Sequence, residues 1–179
     1  MMSKVERWEE LSREEVFQKY GRGIEKRVYR LPHGGEADFY LASGHDSIAC
    51  LALTRDQKII LVRQFRPGPA QVLLEMPGGG ALPEEGLQAA IERELLEETG
   101  YKGKAEFIGS VLPSAYATYQ KNIFVITECE KVAEPKLEDN GEVVEAVLLP
   151  LDEFRALLRS GQMTDVELGY LALDHLNLL

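Results

Sequence analysis

Two cysteines, one tryptophan and an aromatic share of only 8% mark what this 179-residue sequence has little of. Cys50 and Cys129 lie far apart in no ligand-like spacing, which argues against a thiolate metal centre or a disulfide framework. They read as two buried thiols in a reducing compartment. Long apolar runs are missing too. Ile48–Leu53 is among the longest, and a bilayer-spanning helix needs about 20 such residues. The opening MMSKVERWEELSREE is charged where a signal peptide would be apolar. The expectation is a cytoplasmic protein with no membrane partner. Basic residues are also scarce, 20 against 30 acidic ones for a net charge of −10. Such a surface repels a phosphate backbone, so general nucleic-acid binding is excluded.

What is present is ample material for one core: 45% hydrophobic and 28% charged residues, as in soluble globular domains. Helical propensity and a cap at Ser12 predict a helix over Trp8–Tyr20. Alternation then predicts strands at Lys26–Leu31 and Ala37–Leu41 around Pro32-His33-Gly34-Gly35, and at Ser47–Leu53 and Lys58–Phe65 around Arg55-Asp56-Gln57. Val72–Glu75 is a short extended piece entering Pro77-Gly78-Gly79-Gly80. Gly86–Thr99 has helical periodicity and stops at Gly100. Strands are expected at Ala105–Val111, Ile123–Thr127 and Val143–Leu149, and helices at Leu151–Arg159 and Thr164–His175. Strands and helices mix without strict alternation, which implies an α+β protein with a mixed sheet between helices.

The chemistry concentrates in Gly79–Tyr101, GGALPEEGLQAAIERELLEETGY. On a helix Glu94, Glu97 and Glu98 are three or four residues apart and project from one side. An acidic helix face is often no more than a solvated surface. Here Leu87, Ile91 and Leu95 form an apolar stripe beside the acids, which places the carboxylates at the edge of the buried face. Clustered acids there are tolerated best around a hard divalent cation.

The flanks complete a pattern. Gly79, Glu85, Arg93, Glu94, Leu95, Glu97, Glu98 and Gly100 stand at the spacing of the Nudix box, with Tyr101 where the family has an aliphatic residue. The segment resembles that family, and the resemblance implies the Nudix fold, an α/β/α sandwich, and a pyrophosphohydrolase requiring magnesium or manganese. Carried over by position, it implies Glu94, Glu97, Glu98 and the Gly78 carbonyl as metal ligands. Glu85 and Arg93 would brace the loop, while Gly79 and Gly80 let backbone approach the phosphates.

Leu61-Val62-Arg63-Gln64-Phe65-Arg66-Pro67, followed by Leu74-Glu75-Met76-Pro77-Gly78-Gly79, resembles the ADP-ribose pyrophosphatase branch. By that resemblance Arg63 and Arg66 would bind substrate, Arg66 reaching the diphosphate through its planar fork. Residues 1–44 would be an N-terminal strand segment with a β-hairpin, exchanged in a homodimer, and 45–179 the Nudix hydrolase domain. Phe39, Tyr40 or Trp8 would stack on the base, or simply pack in a core. A loop glutamate is expected as general base; Glu138, Asp139, Glu142 and Glu145 are candidates, with Glu142 favoured and Glu97 as the fallback.

The acidic pair that such enzymes carry after the box is absent. Leu112–Gln120 instead offers the hydroxyls of Tyr116, Thr118 and Tyr119. Three functions follow. The first is hydrolysis of ADP-ribose or a related ADP-sugar to a nucleoside monophosphate and a sugar phosphate. The second is hydrolysis of GDP-mannose or another nucleotide or diphosphate metabolite. The third is a non-catalytic nucleotide-sugar sensor, which would be expected to have lost box carboxylates that are all present here.

Overall fold

A computed structural model describes residues 5–81, 84–136 and 143–179. The chain divides into two compact units, the first comprising the residues up to Asp46 together with Leu112–Gln120. Its frame is an antiparallel meander of β1 (Glu9–Lys19), β2 (Arg22–Arg30) and β3 (Glu36–Gly44). The helix expected over Trp8–Tyr20 is therefore a strand. Its helix-forming side chains are almost all exposed, so no apolar stripe rewards a helix. Its backbone instead pairs with β2 from Glu9↔Arg30 to Lys19↔Arg22, and pairing of this kind overrides the weak bias of propensity. Tyr20 and Gly21, at φ 52° and 70°, close this hairpin with the two positive φ values that match strand twist. Trp8, Tyr29 and Phe39 form a ring cluster with centroids 5.7–6.3 Å apart. The segment 112–120 adds to β3, as Ala42 N–H donates to the Tyr116 carbonyl and Thr118 N–H to that of Ala42.

The second unit holds Ser47–Val111 and Lys121–Leu179. Its sheet is built from β4 (Ser47–Thr54), β5 (Lys58–Arg66), β6 (Gln71–Glu75), β7 (Gly78–Gly80), β8 (Tyr101–Val111), β9 (Lys121–Lys131) and β10 (Glu145–Pro150). The main path runs β10-β5-β4-β9-β8. Among the described residues of this sheet only the β4–β9 pair is parallel, so the sheet is mixed as the sequence implies.

The continuous apolar run of β4 is explained by burial on both faces. Ala49, Leu51 and Leu53 enter one core with Phe154, Leu158, Leu168 and Leu173. Ile48, Cys50 and Ala52 enter the other with Ala90, Ile91 and Leu95. The first core lies under helices α2 (Leu151–Ser160) and α3 (Val166–His175), the second under α1 (Leu87–Thr99). Helices thus cover both faces of the sheet, the sandwich the sequence predicts. Among the described residues no helix is long and apolar enough to cross a membrane.

One irregularity positions the site. β4 pairs with β5 only at Ala52↔Ile60 and Leu53↔Ile59. Beyond that point β6 takes β5, from Val62↔Glu75 to Arg66↔Gln71, and β7 takes β4, from Ser47↔Gly80 to Ala49↔Gly78. The sheet opens there, and Met76-Pro77 crosses the gap. The glycine run is thereby a short strand, because two of its residues can approach where a side chain cannot.

Candidate active site

Gly78 lies so close to β4 that a Cβ would stand 2.2 Å from the Ile48 carbonyl oxygen. Its N–H donates to the Glu98 carboxylate at 3.0 Å. At Gly79 a Cβ would meet Glu94 Oε1 at 2.6 Å. Two box carboxylates, one turn apart on α1, are thus delivered onto adjacent residues of one short strand. The apolar stripe fixes their height: Ile91 and Leu95 are fully buried beneath, while the Glu94 side chain keeps 12% exposure. α1 ends because Gly100 adopts φ 77°, where a Cβ would also stand 2.0 Å from the Ala133 carbonyl.

Arg93 joins the box together. Its Nε and Nη2 donate to Glu85, and its Nη1 donates to Glu94 at 2.9 Å and to Glu97 at 3.1 Å. These carboxylates, with Glu85 foremost, raise its pKa further above the ordinary arginine value. Glu97 has a second cation: Lys136 Nζ lies 3.1 Å away, and the Lys136 N–H donates to the Glu97 carbonyl. Lys136, and then Arg93, hold the Glu97 carboxyl below the usual carboxylate range against the opposing effect of partial burial. A cavity of about 410 Å³ opens beside Arg93, Glu97, Lys102 and Lys136; neither Glu94 nor Glu98 lines it.

The three carboxylates among the sequence-predicted ligands are therefore only partly gathered. Glu94 and Glu98 reach the glycine strand, whereas Glu97 is held by Arg93 and Lys136. Among the described residues no group of three or more His, Cys, Asp or Glu side chains stands assembled as a cation cage. The donor chemistry nonetheless fits a hard divalent ion. Two carboxylates converge on Gly78 and Gly79, and the space a Cβ would fill at Gly79 is bounded by carboxylate oxygen.

The sequence-predicted substrate residues separate as well. Arg63 Nη1 is bound at 2.8 Å to Glu145, its cross-strand neighbour on β10. Arg66, at the end of β5, donates through Nε to Glu75. Glu75 is buried and also takes bonds from Gln64 at 2.9 Å and from the Thr164 hydroxyl. This buried acid had a signal in the sequence, the Leu74-Glu75-Met76-Pro77 run, but its partner Thr164 is 89 residues away and no local pattern connects them. Phe39 belongs to the ring cluster of the first unit, and Tyr40 is exposed with Lys26 Nζ 5.9 Å from its ring centre. Glu138, Asp139 and Glu142 lie outside the described residues.

A layered mixed sheet with an acidic helix bound to a glycine strand defines a class, and comparison with known proteins gives it a name. The NUDIX domain family matches residues 44–167, so the chain belongs to the Nudix family. Its members generally depend on a divalent metal ion. This chain is a pyrophosphohydrolase of the ADP-ribose pyrophosphatase-like branch.

The ADP-ribose pyrophosphatase of Bacillus subtilis (strain 168) is 28% identical over 172 residues, covering 94% of this chain and 91% of that protein. The ADP-ribose pyrophosphatase of Saccharomyces cerevisiae is 36% identical over 94 residues, 46% of this chain and 41% of that protein. A crystal structure of an ADP compounds hydrolase superposes with a TM-score of 0.80 at 18% identity, covering 99% of this chain and all of that one; at that identity it speaks for the fold alone.

Proposed function

We propose that this enzyme hydrolyses the diphosphate of an ADP-sugar, ADP-ribose foremost, giving AMP and a sugar phosphate. The observation that carries the reading is the placement of Glu94 and Glu98 on the Gly78–Gly79 strand, with Arg66 on the β5–β6 hairpin that leads into it. The names of the relatives supply the substrate class.

Glu94, Glu97, Glu98 and the Gly78 carbonyl would hold magnesium or manganese. That ion, when bound, would neutralise charge on the phosphate oxygens and acidify a water. For Glu97 to join, its carboxylate leaves Lys136. Gly79 and Gly80 admit the diphosphate close to backbone, and Arg66 binds it as a planar fork. Arg63, paired with Glu145 on the adjoining strand, has the weaker claim to a substrate contact. Glu85 and Arg93 keep the box in shape. Glu142 takes the proton from the attacking water. Phe39 or Tyr40 stacks on the base, and residues 1–44 are exchanged between two copies in a homodimer, in the cytoplasm.

The test is direct. Purified protein with magnesium is given ADP-ribose, other ADP-sugars, GDP-mannose and dinucleotides, and products are identified by mass. Preferential release of AMP from an ADP-sugar supports the reading; preference for another nucleotide substitutes its substrate. Tight binding of a nucleotide sugar without turnover of any compound points to a sensor and overturns catalysis. Glu142→Gln is expected to keep metal binding and lose turnover, and full activity in that variant places the base elsewhere.

A further inference from the structure

We infer that Glu75 is a positioning residue: buried at the end of β6, it sets the Arg66 guanidinium in the orientation that presents its outer edge to the diphosphate. The inference deepens the functional reading above and rests on Arg66 contacting that group.

Three features of the network carry it. Glu75 is 2% exposed, and a carboxylate is retained in such a place only when its oxygens are satisfied by charge and hydrogen bonds. Both are satisfied: one oxygen takes Gln64 Nε2 and Arg66 Nε, and the other takes the Thr164 hydroxyl. The acid is thereby fixed from β5 and from the turn entering α3, and cannot swing to follow a mobile partner.

The bond to arginine is one-sided. Only Nε of Arg66 is engaged by Glu75, and the side chain keeps 35% exposure. Among the described residues the two terminal nitrogens have no hydrogen-bond partner. A guanidinium held at Nε loses its rotational freedom while its Nη1–Nη2 edge, the pair suited to two phosphate oxygens, stays available. A salt bridge serving stability alone would gain from occupying both edges.

The third feature is continuity. Glu75 is followed by Met76-Pro77-Gly78, and the Gly78 N–H donates to the Glu98 carboxylate. The acid that orients Arg66 thus stands three residues before the backbone N–H that holds α1.

A double-mutant cycle tests this on the full-length protein, using Glu75→Gln, Arg66→Ala and the pair. The amide matches the carboxylate in shape and can still accept from Gln64 and Arg66 while donating to Thr164. Each variant is read in two ways: kcat/KM for ADP-ribose with magnesium, and Kd for ADP by calorimetry, which does not require turnover. Each single change is expected to weaken both quantities by between about 10- and 100-fold, the scale of a misplaced binding group. The double variant is expected to be no worse than Arg66→Ala, because without the arginine there is nothing left to orient.

Multiplication of the two effects in the double variant, or unchanged kinetics and binding in Glu75→Gln, overturns the inference. Wild-type values in Arg66→Ala would instead remove the arginine from the diphosphate site. Absence of nucleotide-sugar turnover in the parent would defeat the functional reading while leaving the ADP-binding cycle intact. If Glu75→Gln does not fold, Glu75→Asp, which keeps the charge but withdraws it by one methylene, runs the same cycle with the same expected non-additivity.

Discussion

Gly78 and Gly79 are neighbours on a three-residue strand, yet alanine at each should fail for a different reason. At Gly78 the new methyl would stand 2.2 Å from the Ile48 carbonyl oxygen and 2.8 Å from Ala49 Cα, both backbone atoms of a buried strand. Relief requires β7 to withdraw from β4 by roughly 1 Å, which breaks a pairing at the base of the site. Overpacking of this kind costs about 1–3 kcal/mol. In a domain of this size 1 kcal/mol moves Tm by about 2–4 °C, so Gly78→Ala should melt roughly 2–12 °C lower.

At Gly79 the obstacle is the end of a side chain, Glu94 Oε1 at 2.6 Å and Oε2 at 3.0 Å. The carboxylate can swing away at the cost of its 2.9 Å bond to Arg93. A partly exposed ion pair contributes about 0–1 kcal/mol. Gly79→Ala should therefore stay within about 4 °C of the parent while displacing Glu94, proposed above as a metal ligand, with kcat/KM lower by about 100-fold. Thermal melts by circular dichroism and initial rates with ADP-ribose and magnesium separate the two. Equal loss of stability in both variants, or wild-type rates in Gly79→Ala, would refute the geometry.

Other consequences follow from the same contacts. Glu98→Gln should reduce turnover by orders of magnitude with an unchanged circular dichroism spectrum, since the amide still accepts from Gly78 but is a poor ligand for a hard cation; near-normal rates would contradict the assignment. Leu95→Ala removes a side chain that is 1% exposed from the core under α1 and should cost about 2–5 kcal/mol in urea unfolding. Burial pushes the Cys129 thiol up to about 11 and Cys50 well above the ordinary range. Both thiols favour the neutral form in the fold, so their contribution to stability is complete below the ordinary thiol pKa and is lost as pH rises toward the folded-state value. At pH 8 native protein should label with a thiol reagent only as fast as it opens, and rapid stoichiometric labelling would contradict their burial.

Sequence patterns revealed the second unit far better than the first. β4 and β5 are legible because burial on both faces leaves unbroken apolar runs. α1 is legible because its stripe, its terminal glycine and the box spacing all agree. β1 is not, because Glu-Leu-Ser-Arg-Glu-Glu suits a helix locally and only pairing with β2 decides otherwise. β7 carries no side chains from which a period can be read. Within the site, the spacing of Glu94, Glu97 and Glu98 places them on one side of the helix, but it cannot tell that Arg93 and Lys136 claim Glu97. The Arg66–Glu75–Thr164 chain spans nearly 100 residues, beyond any local signal.

The most direct measurement is a crystal structure of the protein with manganese and a non-hydrolysable ADP-ribose analogue, the ion located by its anomalous signal. Manganese coordinated by Glu94, Glu97 and Glu98, and also bound to diphosphate oxygens, is the predicted result. Manganese elsewhere, with Glu97 still on Lys136 and the diphosphate away from the glycine strand, would contradict it.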